Sequence, residues 1–340
     1  PDVPYTNPTT KYNWQHAFTL PRELTFKNNK VYQLPISETK SLRKAKEIIV
    51  FVLIVINAAL FLLNRYYNND YRITQSEEEA VYRLLSQNGI GIYTNLISEY
   101  QPMKQLDVTV SSPDIEELKR MFFDEDENVE VEVEFEQSIL KSYSAELIAE
   151  DSKLKYSCPT GKGNVEGFGK DAAKKLASDF IKNMGPDYSE YVLDRITYKN
   201  GGYQLEYYEY YKGIKVFCNY CIFFIDDNGI KTIESENYEI NGFIGETKEI
   251  YSSSEAVLTY IYSNKDEDKS GNFIEDLEIG YDFKDSEEVV DGSKIRLVPC
   301  YYIYLINVDE PFVVYAYDNT IKVPESEMLS AENAVVSSTN

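Results

Sequence analysis

The chain has 340 residues, with 57 acidic against 34 basic side chains and a net charge of −23, a balance that excludes a nucleic-acid footprint built on clustered Lys and Arg. Thirty tyrosines and sixteen phenylalanines supply apolar surface suited to half-buried strands, and 43% hydrophobic residues allow a sizeable core in two or three domains. Four cysteines, Cys158, Cys218, Cys221 and Cys300, are too few and too scattered for a disulfide framework.

The first notable stretch, YNWQHAFTLPREL at 12–24, holds the only tryptophan, Trp14, and the only histidine, His16. The next, EIIVFVLIVINAALFLLN, is apolar from residue 48 to 63 except for Asn57. At about 1.5 Å per residue it makes roughly 24 Å of helix, and Ala45, Tyr66 and Tyr67 extend it towards the interfaces of a bilayer. A core helix would carry a polar stripe, and a cleaved signal would end in small residues rather than NRYYNNDYR. A retained membrane helix over 44–67 is therefore expected. Lys40, Arg43, Lys44 and Lys46 precede it, whereas Arg65 and Arg72 follow among asparagines. The positive-inside rule then puts the N-terminus in the cytoplasm and the rest of the chain outside.

Beyond the span, TQSEEEAVYRLLSQNGIGI predicts a helix capped by Thr74 or Ser76, with Ala80, Leu84 and Leu85 as its apolar face and Asn88-Gly89 as its stop. A strand near 106–110 follows, then a helix opened by Ser112 and Pro113. Val129, Val131, Val133 and Phe135 alternate with acidic residues, as in a strand with one wet, negative face. A helix over 170–184 leads into four strands between 191 and 240, broken at Asn200-Gly201-Gly202, Lys212-Gly213 and Asp227-Asn228-Gly229, which are hairpin turns of an antiparallel meander. A second capped helix, 253–262, precedes strands at 273–283, 295–307 and 311–323. The fold class is thus α+β: a single N-terminal transmembrane helix followed by modules of helix packed on antiparallel sheet. The domains expected are a leading segment at 1–43, the membrane helix, an α+β domain at 68–160, two α+β modules at 161–250 and 251–325, and a flexible tail at 326–340.

Candidate chemistry is sparse. Cys218 and Cys221 form a CxxC inside an aromatic strand, where positions three apart point to opposite faces, so buried structural cysteines are favoured over a redox or zinc pair. The glycine-rich stretch 161–170 lacks the spacing of a phosphate loop and reads as a domain linker. The region beyond the membrane helix has no histidine, which excludes Ser-His or Cys-His catalysis there. No catalytic residue, cofactor or metal ligand is assigned, and no enzyme is expected.

KAKEIIVFVLIVINAALFLLN, YRITQSEEEAVYRLLSQNGIGI, LEIGYDF and LVPCYYIYLINVDEPFVVYAYDNTIKV occur in the order and membrane topology of one family. Residues 44–324 resemble the YycH/YycI family, regulators of the cell-wall two-component system of Gram-positive bacteria. The resemblance implies a single-pass, non-enzymatic membrane protein whose extracytoplasmic modules and membrane helix contact a sensor histidine kinase, with much of that contact in the helix, and which has a paralogous regulator as a further candidate partner. On that helix the candidate contact residues are Ile49, Phe51, Leu53, Ile56, Asn57 and Leu60. Asn57 suits the role, because a polar side chain in an apolar helix can hydrogen-bond across helices; the alternative is a bond to its own backbone. An extracytoplasmic peptide-binding or protease-inhibiting module is the competing reading.

WQHAFTLPRELTFKNNKVYQLP is similar to a block of glycoside hydrolase family 32, the sucrose- and fructan-cleaving propellers. The similarity is confined to 1–43, and the family's catalytic carboxylates lie upstream of this block. Since a blade needs four strands, the segment is read as a fragment that does not fold independently, a fusion or truncation product rather than an active site.

Overall fold

A computed structural model describes residues 22–322, apart from 36, 70, 111–113, 125–126, 135–136, 164–166, 186–187, 189, 264–268, 285–293 and 309. Trp14, His16, Ser112, Pro113, Phe135 and the tail at 326–340 lie outside the described residues. Two compact units divide the chain between residues 70 and 71.

The first unit opens with a hairpin, β1 (Arg22–Lys27) and β2 (Lys30–Pro35), in register from Arg22 opposite Pro35 to Lys27 opposite Lys30. Asn28 and Asn29 turn it with φ of 51° and 58°, the left-handed pair that a tight two-residue turn requires and that asparagine tolerates. Leu24, Phe26 and Val31 are exposed. Helix α1 (Ser37–Asn69) follows without interruption for 33 residues, about 50 Å at 1.5 Å per residue. It starts well before the expected 44–67 span because Glu38, Lys40, Arg43 and Lys44 are good helix formers that extend the apolar run backwards. Its stretch Lys46–Leu63 is long and apolar enough to cross a membrane, and none of it is buried. A helix serving a soluble core would be covered along one face.

The second unit is α+β. Its elements are α2 (Gln75–Gln87), β3 (Gly91–Ile92), β4 (Met103–Val110), α3 (Ile115–Phe122), β5 (Glu130–Glu134), β6 (Gln137–Lys141), β7 (Glu146–Glu150), β8 (Lys153–Lys162), α4 (Lys170–Asn183), β9 (Tyr191–Lys199), β10 (Gly202–Tyr211), β11 (Ile214–Asp226), β12 (Gly229–Glu236), β13 (Tyr238–Lys248), α5 (Ser253–Tyr262), β14 (Phe273–Phe283), β15 (Lys294–Leu305) and β16 (Phe312–Tyr315). All fourteen strands join one sheet, in the order β13-β4-β15-β14-β11-β12-β8-β7-β6-β5. Strands β9 and β10 add to β11, β16 to β15 and β3 to β14. Pairing is antiparallel except for two short parallel contacts of β14, with β11 and with β3.

The caps of α2 and α5 agree with the sequence, whereas α3 is capped by Asp114 in place of the expected opening at Ser112 and Pro113. Thr74 caps α2 in a capping box with Glu77, and Ser252 caps α5 with Glu255. The buried residues of α2 are Val81 and Leu85, four apart; Ala80, expected inside, is exposed. Asp114 opens α3, accepting from the backbone N–H groups of Glu116 and Glu117.

Two main cores result. In one, α3 and α4 cover β6 to β12 through Phe122, Ala177, Ile181 and Phe223. In the other, α2 and α5 cover β14 to β16 through Leu85, Val257, Tyr260 and Tyr301. Both helix-then-strands patterns expected from the sequence are present, as α4 with β9 to β12 and α5 with β14 to β16. The boundaries expected at 160 and 250 do not separate sheets. Lys162 of β8 pairs with Ile230, so the glycine-rich stretch starts inside a strand rather than as a linker. Strand β4, from the expected 68–160 domain, sits between β13 and β15. A third cluster, with Leu106, Val108, Val216, Tyr281 and Leu297, fills the region where these strands meet.

Candidate partner-contact site

The unbroken turn of α1 decides which of the six candidate contact residues share a face. At about 100° per residue, Ile49, Leu53, Ile56, Asn57 and Leu60 fall within an arc of roughly 100°, and Phe51 lies on the opposite side. A single partner helix cannot touch all six. Asn57 Nδ2 donates to Leu53 O at 2.9 Å, so one N–H is satisfied within the helix. The amide's second N–H and its Oδ1 retain the capacity to bond a neighbouring helix.

In the sheet, the CxxC noticed in the sequence proves to serve packing. Cys218 belongs to the third core cluster and Cys221 to the first, on opposite faces of β11. Both are fully buried free thiols, and burial pushes their titration up, away from the thiolate that redox or metal chemistry needs.

The most concentrated charge is one the sequence reading missed. Lys215 lies on β11 where it meets β14 and is only 3% exposed. Its ammonium donates to Asp194 Oδ2 at 2.8 Å and Glu278 Oε2 at 2.7 Å and lies 4.1 Å from the centre of the Tyr208 ring. Tyr210 Oη donates to the other oxygen of Asp194 at 3.1 Å. Close approach of the strands is possible because residue 280 is glycine: a Cβ there would stand 2.5 Å from Lys215 O. The one available signal was a lysine between Ile214 and Val216 in a strand of mostly apolar residues.

Two further buried groups are self-contained. Asn219 donates to Glu209 Oε2 at 2.6 Å and Tyr238 O at 2.9 Å, and accepts from the Tyr238 N–H at 3.0 Å. Its amide thus takes the place of a strand neighbour just where β12 gives way to β13. Asp282 accepts from Tyr302 Oη at 2.7 Å and Lys322 Nζ at 2.6 Å, while the Tyr302 ring stacks on Phe217 at 3.6 Å. Charges matched in this way hold the sheet together.

No family model matches the chain, and no curated protein matches it. Solved structures similar to it include an uncharacterized protein from Eubacterium rectale, at 12% identity over 73% of this chain and 99% of that one, with a TM-score of 0.49. The Bacillus megaterium YpeB C-terminal domain is similar at 9% identity over 63% of this chain and 97% of its own, TM-score 0.36. YycH from Bacillus subtilis is similar at 12% identity over 64% of this chain and 56% of its own, TM-score 0.41. At such identities and scores these are partial likenesses of chain path, without bearing on activity.

Proposed function

We propose that the chain is a membrane-anchored regulator that works by contact with a sensor histidine kinase of a cell-wall-controlling two-component system. The N-terminus is cytoplasmic and the sheet unit extracytoplasmic, following the basic residues ahead of the span. The observation that carries the reading is α1, exposed along Lys46–Leu63, whose apolar run from Ile48 to Leu63 bears one polar side chain, Asn57. The resemblance of 44–324 to YycH/YycI proteins supplies the kind of partner. The contact surface is the stripe of Ile49, Leu53, Ile56, Asn57 and Leu60, with Phe51 outside it. A paralogous regulator is a second candidate for the same stripe. The reading requires no catalytic group, and the hairpin of β1 and β2 takes no part in it.

Co-purification from native membranes in mild detergent tests this, comparing the full chain with one in which residues 46–63 are replaced by an unrelated membrane span. A histidine kinase recovered with the native helix and lost on replacement supports the proposal. Equal recovery, or none with either chain, contradicts it.

A further inference from the structure

A cavity of about 560 Å³ opens beside the first core, between the ends of α3 and β8 and the loop joining β6 to β7. That volume falls within the roughly 300–1,000 Å³ usual for small-ligand sites. Leu176, Phe180 and Ile230 give it an apolar wall, and Tyr156 adds an aromatic ring. Glu127, half-buried and held in place, lines the same cavity. Its Oε1 accepts from Ser144 Oγ at 2.5 Å and Ser142 Oγ at 3.4 Å, and its Oε2 from the Asp124 N–H at 3.2 Å.

All three donors are neutral, so they orient the carboxylate without balancing its charge. Lys162, the one cation among the described residues that line the cavity, is engaged with Asp124 Oδ1 at 3.0 Å. Among the described residues no lysine or arginine forms an ion pair with Glu127. The described lining therefore carries one net negative charge, fixed in direction, together with aliphatic and aromatic groups. An anion would meet Glu127 and an already neutralised lysine. An ammonium or guanidinium on an apolar stem would gain the carboxylate, the aromatic faces and burial of its stem.

We propose that this cavity binds an alkylammonium or guanidinium group, carried either by a lysine or arginine side chain of a partner polypeptide or by a free small amine. The proposal is independent of the kinase contact.

The test is titration calorimetry of the full chain in detergent with Nα-acetyl-lysine methylamide, with hexylamine and with the neutral norleucine analogue. The expected result is saturable binding of at least one amine, with the norleucine compound weaker by about tenfold or more. Glu127→Gln, which removes the charge, should weaken the amine by a similar factor. Leu176→Phe, which fills the cavity and leaves Glu127 in place, should do the same and serves if the first variant fails to fold. Tighter binding of the lysine derivative than of hexylamine assigns the site to a polypeptide side chain, and equal binding to a free amine. Absence of saturable amine binding, equal binding of the neutral analogue, or unaltered binding in a folded variant would overturn the proposal.

Discussion

Without its ammonium, Lys215 would leave the carboxylates of Asp194 and Glu278 with no cation between them, where β11 meets β14. Breaking a buried ion pair costs about 3–5 kcal/mol, and because both carboxylates keep some exposure the lower end applies. Lys215→Ala is expected to lose about 3 kcal/mol of unfolding free energy in urea. The triple change Lys215→Met, Asp194→Asn, Glu278→Gln should recover most of that; equal loss in both would mean that the chain's packing rather than its charge matters. Burial raises the hydroxyls of Tyr156, Tyr191, Tyr207 and Tyr301, Tyr207 to about 12. A group titrating higher folded than unfolded stabilises the fold below its unfolded value, near pH 10 for tyrosine, and that contribution is lost as pH rises further. Tyrosinate absorbance from these rings should therefore grow together with loss of circular dichroism above about pH 10. Complete ionisation with structure intact would refute it. At this scale the sequence revealed the opposed faces of Cys218 and Cys221, because strand periodicity is local, but not the Lys215 cluster, whose carboxylates lie 21 and 63 residues away.

Capping explains why helices were easier to read than strands. In α2, Glu77 N donates to Thr74 Oγ1 at 3.3 Å and Thr74 N to Glu77 Oε2 at 2.8 Å. Thr74→Ala should cost about 1 kcal/mol, seen as a lower urea midpoint with an unchanged slope; an unchanged midpoint would show that the box contributes nothing. Helices α4 and α5 and the Asn200-Gly201 and Lys212-Gly213 hairpins carried their own local signals and stand where the sequence put them. Strands β6, β7 and β8 carried no such signal. The hairpin of β1 and β2 was hidden in a segment read as a fragment. The single strand expected over 230–240 is divided between β12 and β13, since the side chain that ends one and starts the other, Asn219, lies 19 residues from Tyr238. On α1, a list of apolar residues gave no face; the continuous helix separates Phe51 from the other five.

Over the whole chain, residue patterns gave the class, helix with antiparallel sheet, but not the order of strands. Thr109 of β4 pairs with Glu239 on one side and with Lys294 on the other, and nothing near position 109 specifies either. The edge drawn at the glycine-rich stretch 161–170 consequently falls within a continuous sheet. The membrane span was legible because a run of apolar side chains needs no distant partner to be recognised. The account turns on that span making contact through one stripe. The most direct measurement places a photo-reactive residue at Asn57, at Leu60 or at Phe51 of the full chain in native membranes and identifies the cross-linked product. Adducts with a sensor histidine kinase from Asn57 and Leu60, and none from Phe51, are expected. Absence of a kinase adduct from any of the three would contradict the account.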